Sequence, residues 1–296
     1  MELLNRRTLE ETIFKLLMMI SVCIVIGSLV IIFGLVIING ASSISIEMIT
    51  QTPTPGNSLG GGILNAIIGS LLLALPATGL ACVIGIGIAL YLQKEFTPVW
   101  FSNFIRFTLD VLWGVPSIIY GIFCLMIMIY LGMGSSLLVG IIALTLLEIP
   151  IITRYMDESI KLVPMGLKES SYSLGSTKFE TAVRVVRKQA FPGILAGILL
   201  GLGRGIGDAA SILFTAGFSN RIPGSLFDST SALPTMIYNL YSLPSGQPKA
   251  YAAAFILLMI VLIISILSRI LTKRFTKHVI RENKRKIYEK IINKSD

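Results

Sequence analysis

The 296 residues are 54% hydrophobic and only 14% charged, with 25 Lys and Arg against 16 Asp and Glu for a net charge of +9. Soluble domains are nearer a quarter charged, so with a mean hydropathy of +0.81 the composition excludes a soluble globular protein and indicates an integral membrane protein. The single histidine, His278, excludes histidine-based metal or triad chemistry, and Cys23, Cys82 and Cys124 lie in apolar runs at no metal-ligand spacing, where they read as packing residues.

A helical span needs about 20 apolar residues. Six spans are predicted in chain order, near 16–38, 63–93, 111–131, 137–153, 191–217 and 250–271, giving an all-α membrane protein. The first apolar run is too long for a signal-peptide core and lacks a small-x-small cleavage site, so it reads as an uncleaved span. Residues 1–62 form an arm, that span and an external loop whose TPTPGNSLGGG stretch is rich in turn formers. Residues 63–271 form the main membrane unit, in which GMGSS at 132–136 separates the third and fourth spans, and 272–296 form a basic tail. The external loops at 39–62 and 218–249 read as short and loop-like, too small to hold a ligand-capture domain.

Pro76, Pro116 and Pro150 fall inside spans two, three and four. Each removes a backbone hydrogen bond, so each either kinks its helix or breaks it along a polar pathway. An even number of spans places both termini on one side. That side carries 22 of the 25 Lys and Arg, which makes it cytoplasmic by the positive-inside rule. The net charge is then mainly a topology signal, and nucleic-acid binding is a poor account of it.

The stretch 154–190 is too polar to span. Val163, Leu167, Ser171 and Leu174 share one helical face, Gly175 supplies a stop, and Thr177-x-x-Glu180 is a capping box opening a second helix. Such a pair can lie on the membrane or fill a groove on a cytoplasmic partner.

The fifth span begins at Phe191, which puts Arg204 about 20 Å deep in a core about 30 Å thick. A charge there is costly. Asp208, four residues on, shares its face if the helix continues, and the two are expected either to neutralise each other or to line and gate an anion path. Gly197, Gly201 and Gly205 recur every four residues, a close-packing signal. Asp110 is expected to pair with Arg106 one turn earlier, and Glu148 receives no role.

These residues carry a resemblance. Glu169-Ser170-Ser171 followed by Gly175 resembles the EAA motif of binding-protein-dependent ABC-importer permeases, whose type I membrane domain has six spans. GGGILNAIIGSLLL at 60–73, PSIIYGIF at 116–123, IPIITR…KLVP at 149–164 and RGIGDAASILFTA at 204–216 are similar to the phosphate-importer branch of that family. The resemblance implies a permease subunit of an ATP-driven phosphate importer in the cell membrane. It implies a second, homologous permease, two ATP-binding subunits that hold ATP-Mg and an extracellular phosphate-binding protein as partners. It also implies coupling to the ATPase through Glu169, Ser170, Ser171 and Gly175, and a pathway or gate at Arg204, Asp208, Pro116 and Ser117. The chain itself is expected to bind no cofactor or metal and to have no catalytic residue. It contains no G-x-x-x-x-G-K-[ST] sequence, so ATP is expected to be hydrolysed elsewhere.

Two departures bear on the substrate. Gly207-Asp208-Ala209-Ala210 stands where the family usually has Gly-Glu-Thr-Ala, and Glu148 adds an acid that would repel an anion unless paired or protonated. A related oxyanion of the tungstate, molybdate or phosphonate type is therefore the alternative substrate. Gly205-Ile206-Gly207-Asp208 also fits the G-x-G-D pattern of intramembrane proteases, but these need a second carboxylate close by, and the only candidate is Asp110 at the membrane edge. An ion-coupled secondary transporter would usually show inverted repeats, and none is found.

Overall fold

The computed structural model describes residues 2–54 and 57–292, with side chains described for 10–54 and 60–274. His278 and the end of the basic tail lie outside the described side chains. The order is α1 (Glu2–Ser42), α2 (Ile46–Thr50), β1 (Pro53–Thr54), β2 (Asn57–Gly61), α3 (Leu64–Tyr91), α4 (Val99–Gly114) and α5 (Ser117–Tyr130). Then come α6 (Leu137–Lys161), α7 (Met165–Ser173), α8 (Lys178–Glu180), a π-helical turn (Thr181–Val186) and α9 (Arg187–Gly207). The chain continues through α10 (Leu233–Tyr241), a 3₁₀ turn (Pro244–Gly246) and α11 (Gln247–Ile292).

Five helices are long and apolar enough to cross a membrane, and six spans result if the bent pair α4–α5 counts as one. In that pair the kink or break expected of a span proline falls at Pro116, near the start of the span expected at 111–131. The two helices meet at 94°. The break follows from Pro116, which has no N–H to donate and holds Val115 extended at ψ 129°. Tyr120 Oη donates to Leu112 O at 2.8 Å across the corner. Pro76 and Pro150, by contrast, stay inside continuous helices.

α6 is the central post, packed against α3, α4, α5 and α9. Leu73, Ala77, Leu144, Leu147 and Ile212 fill one part of the core, while Ile152, Met156, Ile160, Val186 and Ile194 fill the part nearer the α7 end. The α6–α9 seam is built on glycine. A Cβ at Gly193, Gly197, Gly201 or Gly205 would strike Ser159, Tyr155, Ile152 or Glu148 respectively, an antiparallel register that steps down α6 as it climbs α9. Without side chains at these positions the two backbones approach closely enough to mesh.

α1 packs on α11, and its apolar side chains are otherwise exposed. Cys23, expected to be a packing residue, is on that exposed surface, whereas Cys124 is buried and Cys82 half-buried.

The segment 218–249 is not merely a loop. α10 begins with Pro234 in its first turn and buries Leu233, Met236 and Leu240 against Ala252 and Ala253 of α11. Proline early in a helix followed by apolar residues at helical spacing is a start signal. Segment 39–62 likewise holds α2 and the antiparallel pair β1–β2.

Candidate functional site

Two regions carry polar groups where the fold holds them under constraint. The first is the loop end of the bundle. α7 ends where Gly175 takes φ +83°, the left-handed region glycine adopts freely, with its N–H donating to Tyr172 O at 2.9 Å. Thr177 Oγ1 accepts from Glu180 N, and Glu180 returns a carboxylate to Thr177 N at 3.1 Å, completing the capping box.

The buried face of α7 differs from the expected one. Lys168 and Ser171 turn inward with Val163, while Leu174 is 87% exposed. Ser171 Oγ meets Thr181 Oγ1 at 2.9 Å, and Lys168 Nζ donates to Glu95 Oε1 at 2.9 Å. Lys178 Nζ adds a bond to Glu95 O at 3.2 Å, so the α7–α8 corner rests on the α3–α4 turn. Partial burial works to raise the Glu95 carboxyl, but the Lys168 ammonium beside it prevails and holds it below the usual value. Of the four residues read as coupling positions, Glu169, Ser170 and Gly175 are exposed and Ser171 faces the bundle. Exposed Leu162, Met165, Leu174 and Phe179 surround them.

Beneath this corner lies a network that sequence spacing misassigned. Arg106 does not pair with Asp110. Its Nε bonds Asp157 Oδ2 at 2.8 Å and its Nη2 reaches both Asp157 Oδ1 and Leu92 O. Asp110 instead takes Arg154 Nε at 2.7 Å. Asp157 is fully buried and also receives Lys161 Nζ at 2.9 Å and Gln93 Nε2 at 3.3 Å. The network ties α3, α4 and α6 together and holds α4 across the bundle. The available signal was Arg154-x-x-Asp157-x-x-x-Lys161 on one face of α6, which the expected i,i+4 partner on α4 obscured.

The second region is the far part of α9. The helix stops at Gly207, and Asp208 takes an extended backbone at ψ 125°. The Asp208 carboxylate accepts from Ser211 N at 2.8 Å and from the Ser211 hydroxyl, capping a new turn. The expected continuous helix to 217, with Arg204 and Asp208 on one face, is therefore corrected. Three glycines in five residues weaken the helix, and an aspartate that can cap the next turn ends it. Among the described residues Arg204 has no ion pair or hydrogen bond, and it is exposed.

The corner at Pro116–Ser117 is brought toward the same place. A Cβ on Gly121 of α5 would meet Ser211 O at 2.7 Å, so α5 packs directly on the capped turn, and the Arg204 charge reaches Tyr120. Glu148 lies just behind. It is fully buried against Gly205 and Gly201, and the Asp208 charge acts on it. The Thr78 hydroxyl is beside it but outside hydrogen-bonding geometry, leaving both carboxyl oxygens and that hydroxyl without partners. Among the described residues no group of three or more His, Cys, Asp or Glu could hold a metal ion.

Residues 81–277 match the family model described as binding-protein-dependent transport system inner membrane component. The phosphate transport system permease protein PstA of Yersinia pestis is 34% identical over 218 residues, 74% of this chain and 74% of that one. The probable ABC transporter permease protein YqgI of Bacillus subtilis is 30% identical over 80% of this chain and 85% of that one. A chain in the structure of a bacterial alginate ABC transporter, in complex with an alginate pentasaccharide-bound periplasmic protein, superposes with a TM-score of 0.63. It covers 88% of this chain and 95% of its own at 14% identity, a likeness of fold.

Proposed function

The chain belongs to the family of binding-protein-dependent transport system inner membrane components, and from that premise we propose that it is one permease of an ATP-driven phosphate importer. The observation that carries the mechanism is the continuity of the loop end with the charged helix. The exposed Glu169, Ser170 and Gly175 sit on a corner anchored by Lys168–Glu95 and Ser171–Thr181. From that corner α8, the π turn and α9 run as one rod to Arg204. Closure of an ATPase cleft on the corner would move this rod along its glycine seam with α6. Arg204, with no ion pair among the described residues, offers a planar fork to an oxyanion once a second permease closes the pathway.

The partners are a second homologous permease, two ATP-binding subunits that hold ATP-Mg, and an extracellular phosphate-binding protein. The charge asymmetry puts both termini and the 154–190 corner in the cytoplasm. The phosphate assignment is supported by the name of the Yersinia pestis relative. A second reading, another oxyanion, is favoured by one observation: the Glu148 and Asp208 carboxylates lie close behind the path and alter its field.

The test is ATP-dependent phosphate uptake in proteoliposomes that hold the chain with its three kinds of partner, with Gly175→Asp beside the wild type. Uptake present in the wild type and lost in the variant is the expected result. ATP hydrolysis that ignores phosphate but responds to molybdate or tungstate would transfer the architecture to the other substrate class.

A further inference from the structure

Between α9 and α11 runs a groove of about 600 Å³. One wall is the α9 face of Ala196, Leu199, Leu200, Gly203 and Arg204, spaced i, i+3, i+4, i+7 and i+8. The other is the α11 face carrying Ser265, Ser268, Arg269 and Lys273. Arg274, next along the chain, does not line it. Apart from Ser265, Ser268 and Thr272 the rest of the lining is apolar, and three exposed cations border it. Among the described residues none of the three has a carboxylate partner. Like charges around one groove repel one another, and a bound anion would offset that repulsion.

The charges are also ordered. α9 and α11 run antiparallel, so Arg204 faces the Val261 end of the groove and Ala196 faces the Lys273 end. From Val261 to Lys273 is roughly 18 Å at the rise of an α-helix. One phosphate cannot reach both ends, so the groove has two stations. Ser265 and Ser268 lie between them. The Ser265 hydroxyl donates to Val261 O at 2.8 Å, which leaves its oxygen lone pairs to accept from a protonated oxyanion.

We propose that this groove is a two-station oxyanion site, with Arg204 at one end, Arg269 and Lys273 at the other and the serines between, occupied by a phosphate-class anion in transit. The inference rests on the transport reading above and adds α11 to the path. Two moderate stations suit conduction better than one deep site, since an anion must leave as readily as it enters.

The experiment uses the assembled complex in proteoliposomes and reads phosphate carried per ATP hydrolysed. Wild type, Arg269→Gln/Lys273→Gln and the charge-preserving Arg269→Lys are compared in phosphatidylcholine vesicles with and without phosphatidylglycerol. Co-purification of the partner permease serves as the check on folding. The double variant is expected to carry about tenfold less phosphate per ATP, equivalent to about 1.4 kcal/mol at the station. The same loss is expected in both lipid mixtures, with Arg269→Lys close to wild type. An unchanged ratio in the double variant would overturn the proposal. A loss seen only with phosphatidylglycerol would overturn transit as the source and assign the site to an anionic lipid headgroup. A wild-type complex that carries no oxyanion overturns the transport reading, whereas a working wild type with an indifferent variant overturns the groove alone.

Discussion

Glu148 is the residue whose surroundings give the sharpest energetic expectation. It is fully buried against Gly201 and Gly205, and among the described residues its carboxyl oxygens have no hydrogen-bond partner. A buried polar group without partners costs stability, and an apolar side chain of similar shape removes that cost. Glu148→Leu is therefore expected to stabilise the detergent-solubilised complex by about 1–3 kcal/mol, read as a higher Tm. A lower Tm would mean that the carboxyl is held by a bond the fold conceals. Arg204 makes the complementary case. With no acid paired to it among the described residues, Arg204→Gln orphans no carboxylate among them. Assembly is expected to survive while phosphate uptake falls at least about tenfold, the loss of a charge-assisted contact. Uptake retained in a variant that assembles normally would reduce Arg204 to a bystander.

At the scale of elements, the polar network under the α7–α8 corner decides how rigidly that corner meets its surroundings. Asp157 is fully buried and shared by Arg106, Lys161 and Gln93. Breaking one partner of a buried ion pair leaves the other charge uncompensated. Asp157→Ala is expected to cost about 3–5 kcal/mol by chemical denaturation in detergent, with α4 the first element to lose hydrogen-exchange protection. The Lys168–Glu95 contact carries a pH signature. The Glu95 carboxyl lies below its usual 4.5 in the folded chain. Its contribution is complete above that value and is lost as the pH falls through the lower, folded one. Protease protection of residues 162–180 should therefore weaken on acidification below about 4.5, and Glu95→Gln should remove that dependence. Equal pH dependence in wild type and variant would show that another group anchors the corner. The elements themselves were unevenly legible. Gly175 as a stop and Thr177–Glu180 as a start are local chemistry and read directly. α10 was missed because its nine residues lie in a segment that composition marks as external loop.

Over the whole molecule, the chain reads as a permease whose parts are mechanically joined. An exposed corner, a continuous helical run of α8, the π turn and α9, and a cationic groove against α11 follow one another along the chain. α1 stands outside this assembly and packs on α11.

The sequence by itself determined what depends on composition or on neighbours along the chain. It determined the membrane class, the apolar runs, the glycine spacing of the α6–α9 seam and the capped, glycine-stopped corner. A bilayer demands length and apolarity, and caps and stops are decided within a few residues. Tertiary structure alone decided which charges meet. Arg106 passes over Asp110, one turn away, for Asp157 on another helix, and Asp208 passes over Arg204 for the turn that follows it. It also decided that Pro116 breaks its span while Pro76 and Pro150 do not, and that Lys168 rather than Leu174 turns inward. The physical reason is the same in each case. Spacing fixes which residues share a face, but the partner of a charge is set by whichever helix packing brings within 3 Å, where the energy of a desolvated ion pair outweighs a surface contact one turn away.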